Sequence, residues 1–393
     1  MPAGQPSRLR RDNLGKSWLV PSVDVAFGCG ETNMQKYGSR LVSVAGLALG
    51  LSAANASAQG FVYVGPGEGA PQHARRYSFP GGQPAGSFFA YDPTFTGGVR
   101  VAAGDINGDG VPDTVTGTGG AAPAGGGGPH VKVFDGVSGS EIRSFFPHPG
   151  FSGGVYVAAG DINNDGVADL ISGTDGGGGL IRAFDGLTHA SIRSFSPYGS
   201  SFTGGITVAA GDVNGDGFDD IISAPTAGGA PNVRVFSGAD HSTLHNFFAT
   251  TPSFSGGVFV ASGDVNGDGF ADIVTGLDGA GQVSIFSGAT LAPLGSFSPY
   301  GPSFTGGVRV AVGDLNGDGA GDIITGTGPG GGPHIKVFDG RTLTETAALF
   351  PYDPTFTGGV FVAAAAVPEP CTIAAALMPW LLFTRSSARR RRE

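Results

Sequence analysis

At 393 residues the chain is long enough for one large core or for two domains, and only 14% of it is charged, with 32 acidic against 22 basic residues. That acidic balance argues against nucleic-acid binding, which needs basic patches to displace counterions. The 73 glycines follow no G-X-Y period, so they mark turns rather than collagen.

Residues 1–33 show no hydrophobic period. From Met34 the pattern changes: 34–40 form a short basic n-region, 41–53 an apolar h-region, and Ala56-Ser57-Ala58 an A-x-A cleavage site. Residues 34–58 read as a secretory signal peptide whose apolar stretch is too short to span a bilayer comfortably. Its position behind 33 further residues predicts that translation starts at Met34, which N-terminal sequencing of the precursor would test. The mature chain then begins near Gln59, for which signal peptidase is the first partner. Cys29 and Cys371 are the only cysteines and both lie outside 59–366, so that region has no disulfide and no thiolate site.

Residues 61–366 form one repeat array. The phrase Phe-[Thr/Ser]-Gly-Gly-[Val/Ile] begins at Phe95, Phe151, Phe202, Phe254, Phe304 and Phe356, at separations of 56, 51, 52, 50 and 52 residues. Each unit reads as four short strands: a small-residue first strand (99–103), a second opening on Asp (322–326), a third ending in an Asp-Gly turn (334–338), and an aromatic fourth (348–352). Four strands in about fifty residues, repeated, predict an all-β six-bladed β-propeller of four-stranded blades. Residues 61–91 supply strands two to four of a unit, and 356–364 a lone first strand. Joined, they close the ring as one composite blade, leaving no exposed sheet edge at the seam.

Between the first and second strands five units carry D-x-N-x-D-G-x-x-D, at 105–113, 161–169, 212–220, 264–272 and 314–322. Oxygen-bearing side chains at positions 1, 3, 5 and 9 suit a hard cation, and the Gly at position 6 permits the turn around it. The carbonyl of position 7 (Val111, Val167, Phe218, Phe270, Ala320) offers a further oxygen. Asp, Asn and Gly also crowd ordinary turns; five in-register copies favour calcium. Residues 59–366 hold 27 acidic against 11 basic side chains, and bound Ca²⁺ would relieve much of that repulsion. The sixth unit reads Ala363-Ala364-Ala365-Ala366, so five sites are expected.

The run from Phe95 to Asp113 resembles the FG-GAP/VCBS repeat of integrin α-subunit propellers and of many bacterial surface proteins. The resemblance implies Ca²⁺ ligands at Asp105, Asn107, Asp109 and Asp113; Asp161, Asn163, Asp165 and Asp169; Asp212, Asn214, Asp216 and Asp220; Asp264, Asn266, Asp268 and Asp272; and Asp314, Asn316, Asp318 and Asp322. Asn164 replaces the usual Gly at position 4 of the second loop, and the GAP tripeptide survives best as Ser223-Ala224-Pro225. The array has six units rather than the integrin seven and no inserted ligand-binding domain. Strands flank the loops and position 12 lacks Glu, which disfavours an EF-hand or dockerin.

Residues 367–393 open with Val367-Pro368-Glu369-Pro370, continue as an apolar run and end in an arginine cluster. The order resembles a PEP-CTERM sorting signal, which implies a bacterial envelope or extracellular-matrix protein, an exosortase-type processing enzyme and an association with extracellular polysaccharide. A plain tail anchor is the other reading, and either gives at least transient membrane contact.

No catalytic constellation is evident. His73, His130, His148, His189, His241, His245 and His334 fall at different points of different units, and neither H-E-x-x-H nor G-x-S-x-G occurs. His241 and His245 read as structural or solvent residues at a hairpin. His130 and His334 share Gly-Gly-Pro-His-[Val/Ile]-Lys-Val-Phe-Asp-Gly, which reads as a hairpin start or as part of a ligand face. The glycine runs at 125–128 and 176–179 lack the Lys-Ser/Thr of a phosphate loop. The expectation is a secreted, non-catalytic binding or adhesion protein, with a polysaccharide or surface protein as partner. The competing class is a polysaccharide-acting hydrolase or lyase on the same scaffold.

Overall fold

The computed structural model describes residues 60–69, 73–120 and 128–366. The leader at 1–33, the signal peptide at 34–58 and the sorting tail at 367–393 lie outside the described residues. Every regular element among the described residues is a β-strand: 24 strands form six antiparallel sheets of four. The chain is a six-bladed propeller. Blade 1 runs Val99–Gly104, Asp113–Thr118, Val131–Phe134 and Glu141–Phe145 from the axis outward. Blades 2 to 5 repeat that order over 154–195, 206–248, 258–297 and 308–349. Blade 6 is composite. Its inner strand, Val360–Ala366, pairs antiparallel with Gly60–Pro66 from Gly60↔Ala366 to Pro66↔Val360, and His73–Phe79 and Gln83–Phe89 complete it.

Each inner strand contacts the next, and that of blade 6 contacts that of blade 1, so the ring closes. The core lies between blades. Val62, Val64, Leu315, Ile324, Val337 and Val360 form one such cluster, and each such side chain contributes roughly 1.5–3 kcal/mol on burial. The glycine ending the inner strands of blades 1 to 5 has a steric cause. A Cβ on Gly104 would stand 2.8 Å from the Cβ of Ala159 in the next blade.

The residue between the first two aliphatic side chains of each inner strand decides what occupies the axis. In blades 2, 4 and 6 it is Tyr156, Phe259 and Phe361, whose rings meet across the channel at 6.2, 6.4 and 6.4 Å between centroids. In blades 1 and 5 it is arginine. Arg100 lies 4.7 Å over Tyr156 and Arg309 lies 4.0 Å over Phe361, both guanidiniums being buried. Arg100 also pairs with Asp175, whereas Arg309 donates to the Thr327 carbonyl (3.0 Å) and has no carboxylate within ion-pair distance among the described residues. Three rings with two cations stacked on them fill the axis.

One strand boundary differs from expectation. The outer strand of blade 5 is Glu345–Leu349, so the aromatic segment assigned to it at 350–352 follows the strand. Pro351 has no N–H for a ladder, and Tyr352 turns inward, where its hydroxyl donates to the carbonyl of His73 in blade 6 (2.6 Å). Tyr91, Tyr198 and Tyr300 make the same inter-blade bond to the carbonyls of His130, Asn232 and His334.

Candidate metal loops and an aromatic rim

All five aspartate loops connect an inner to a second strand and therefore lie at one end of the ring. Position 1 (Asp105, Asp161, Asp212, Asp264, Asp314) is half-buried, position 5 (Asp109, Asp165, Asp216, Asp268, Asp318) is exposed, and position 9 (Asp113, Asp169, Asp220, Asp272, Asp322) is buried beneath them. The position 3 asparagines Asn107, Asn163 and Asn266 are half-buried, and Asn214 and Asn316 are exposed.

The loops fold because their carboxylates satisfy their own backbone. Asp105 accepts from the amides of Gly108 (2.8 Å) and Gly110 (2.7 Å), Asp109 from Val111 (2.8 Å), and Asp113 from Ile106 (3.0 Å) and Gly136 (2.8 Å). The position 1 bond to the position 6 glycine and the position 9 bond to the position 2 amide recur in every loop. Positions 4 and 6 have positive φ, which explains their glycines. Asn164 takes φ 57° at position 4, a conformation Asn tolerates, so its replacement of Gly preserves the loop.

Burial pushes the position 9 carboxyls up to about 6 in Asp113, Asp220, Asp272 and Asp322 and about 7 in Asp169. Backbone N–H donors pull them back, and the position 5 carboxylate raises them further in every loop. Each loop carries along its length three carboxylates, one amide oxygen and a main-chain carbonyl, an all-oxygen donor set that fits a hard divalent cation in kind. Among the described residues, no three His, Cys, Asp or Glu side chains converge tightly enough to hold a metal by themselves. The carboxylate oxygens are directed at loop amides.

Two features here escaped the sequence. Asn107 and Asn163 donate to Asp135 (2.9 Å) and Asp185 (3.0 Å) of the outer hairpin turns. Asn214, Asn266 and Asn316 donate to Asp216 (2.9 Å), Asp268 (3.0 Å) and Asp318 (3.1 Å) instead, the turn carrying Ser237 and Ser287 in the first two cases and Asp339 in the third. The Asp-Gly turn was visible; its reach to the loop was not. Asp219, at position 8, accepts from the Asp161 amide (2.9 Å) of the preceding loop, and burial raises its carboxyl to about 6.

The opposite end of the ring carries aromatic platforms. A residue at the start of each third strand, or just before it, faces one at the end of the outer strand, or just after it. In blades 5, 6 and 1 these are His334–Phe350, His73–Phe89 and His130–Phe146, stacked at 4.3, 4.8 and 4.5 Å with interplanar angles of 13°, 20° and 17°. The three phenylalanines are 53%, 51% and 57% exposed. Blades 2 and 4 have Leu180 with Ser196 and Gln282 with Ser298, so the three stacks are contiguous around the rim. The remaining histidines are structural in setting. His148 is buried against Ser172 (3.1 Å), His189 and His241 occupy hairpin turns at positive φ, and His245 bonds the Gly288 carbonyl (2.7 Å).

A family model described as an FG-GAP-like repeat matches residues 161–223 and 264–325, each span running from the first aspartate of one loop into the second strand of the next blade. Over those two spans the chain carries FG-GAP-like repeats. A protein of unknown function from Bacteroides caccae is similar in structure, with 11% identity, 80% of this chain and 100% of that chain covered, and a TM-score of 0.50. A chain of the mitotic checkpoint complex (13% identity, 75% and 77% covered, TM-score 0.44) and the RRP9 WD40 repeats (14%, 70% and 74%, 0.42) are more distant. At these identities the likeness is one of fold.

Proposed function

We propose that this FG-GAP propeller is an exported, calcium-stabilised, non-catalytic protein of the bacterial surface or extracellular matrix that binds polysaccharide through the rim opposite its aspartate loops. The observation carrying the reading is the contiguous series Phe350, Phe89 and Phe146. Flat aromatic faces, held in orientation by a histidine beneath and left exposed, suit the C–H faces of sugar rings. Spaced over three blades, they suit an extended chain rather than one small molecule. Ca²⁺, held by positions 1, 3, 5 and 9 of each loop, would supply stability at the other end. Export rests on the segment at 34–58 and retention on the tail at 367–393.

The test is co-sedimentation of the mature protein with insoluble polysaccharide from its own host. Phe89→Ser, Phe146→Ser and Phe350→Ser, combined, introduce the residue that blades 2 and 4 already carry. Binding should fall at least tenfold with the melting temperature unchanged. Undiminished binding by the triple variant would overturn the rim assignment, and release of soluble sugar would point to an enzyme instead.

A further inference from the structure

Blade 3 departs from the other blades at the rim. Phe248 is 47% exposed like Phe350, but the residue opposite it in the ladder is Asn232, not histidine. No aromatic ring stacks on Phe248 among the described residues. A cleft of about 470 Å³ opens there, lined by Tyr198, Phe202, Asn232, Arg234, Asn246 and Phe248 among others. Its size falls within the roughly 300–1,000 Å³ typical of small-ligand sites. The polar wall is ordered: Asn232 donates to Asn246 (2.7 Å) and accepts from Arg234 Nε (3.0 Å), whose Nη1 donates to the Pro197 carbonyl (2.6 Å). Asn246 has Ser or Ala as its counterpart in every other blade. Its amide nitrogen and the second Arg234 Nη donate to no other described residue.

We propose that this cleft binds a single hexopyranose ring, stacked on Phe248 and hydrogen-bonded through adjacent hydroxyls to Asn246 and Arg234. The chemistry selects that class. An apolar ligand would leave the amide and guanidinium donors facing it unpaired, which is costly. The cleft presents one guanidinium and no carboxylate, so a cation finds no counter-charge there. A pyranose has an apolar face for the ring and vicinal hydroxyls for the two donors. The inference rests on the polysaccharide-binding reading and deepens it by naming a discrete subsite outside the three-blade series.

Saturation-transfer NMR of the mature protein with methyl hexopyranosides at millimolar concentration tests it. Transfer should be strongest at the ring protons of one face. Asn232→His installs the stack found in blades 1, 5 and 6, and Phe248→Ser the residue of blades 2 and 4. Each should weaken binding at least tenfold without changing the melting temperature. Unchanged transfer in Asn232→His, or no transfer from any hexopyranoside to the wild type, would overturn the cleft. The triple rim variant should keep its hexopyranoside signal. Loss of polysaccharide sedimentation in that variant alone, with no hexopyranoside signal in the wild type, would sink the cleft while leaving the rim reading intact.

Discussion

The backbone carbonyl of Asp105 accepts a 2.8 Å hydrogen bond from the amide of Ala168, in the next blade. The bond recurs from Asp219 to Asp161 (2.8 Å), Ala271 to Asp212 (2.8 Å) and Gly321 to Asp264 (2.6 Å). In four of the five loops the first aspartate therefore folds its own turn with its side chain and holds the neighbouring blade with its backbone. An ion that rigidified one loop would also stiffen that inter-blade seam.

Positions 5 and 9 should separate metal binding from folding. Asp113→Ala leaves the amides of Ile106 and Gly136 without an acceptor, a loss of about 1–3 kcal/mol for each buried group. It should lower the melting temperature with calcium or with chelator. Asp109 is exposed, and Asp109→Asn, which keeps an oxygen acceptor for the Val111 amide, should lower it only when calcium is present. Differential scanning calorimetry in both conditions distinguishes the two.

Calcium and pH should act against each other. The five position 9 carboxyls have folded pKa values near 6–7, above the unfolded value near 4. The folded state then holds more protons across that window, so chelated protein should lose stability as pH rises from about 4 to 7. At millimolar calcium each site should return roughly 0.4–1.4 kcal/mol, given extracellular affinities near 10⁻⁴–10⁻³ M. A melting temperature insensitive to chelator at pH 7.5 would refute calcium binding.

His148 occupies the position held by tyrosine in four other blades. Burial, with Arg182 nearby, pushes its imidazole down to about 4. The unfolded chain protonates first, so this residue costs stability as pH falls from about 6.5 to 4. His148→Tyr should raise the melting temperature at pH 5 and change it little at pH 7.5.

At the axis, burial lowers the Arg309 guanidinium to about 10, with Arg100 adding repulsion. A buried cation with no carboxylate in contact is a poor source of stability. Arg309→Met should be neutral or stabilising in thermal melts. Phe361→Ala, which removes the ring beneath Arg309 and the contacts to Tyr156 and Phe259, should cost about 3–5 kcal/mol.

Much of the fold was legible because each blade repeats its own punctuation. The Phe-Thr-Gly-Gly phrase, the aspartate loop and the third-strand phrase marked strand order five times over, and the incomplete units at 61–91 and 356–364 disclosed the composite blade. What stayed hidden depends on neighbours across blades. Nothing local says that Tyr156, Phe259 and Phe361 meet, although an aromatic in every second V-x-V is visible once the ring is known. The His–Phe stacks link residues sixteen positions apart through a ladder register that the spacing alone did not give. The Asn232 exception has meaning only against those stacks.

The seam at Gly60↔Ala366 has a mechanical consequence. Residues 60 and 366 leave the ladder side by side at the same end, so tension between the two flanking segments would part its hydrogen bonds one at a time, as a zip opens. The same ladder would resist a load along its length through all its bonds together. A propeller tethered through only one of those segments and loaded at its rim avoids the weak direction.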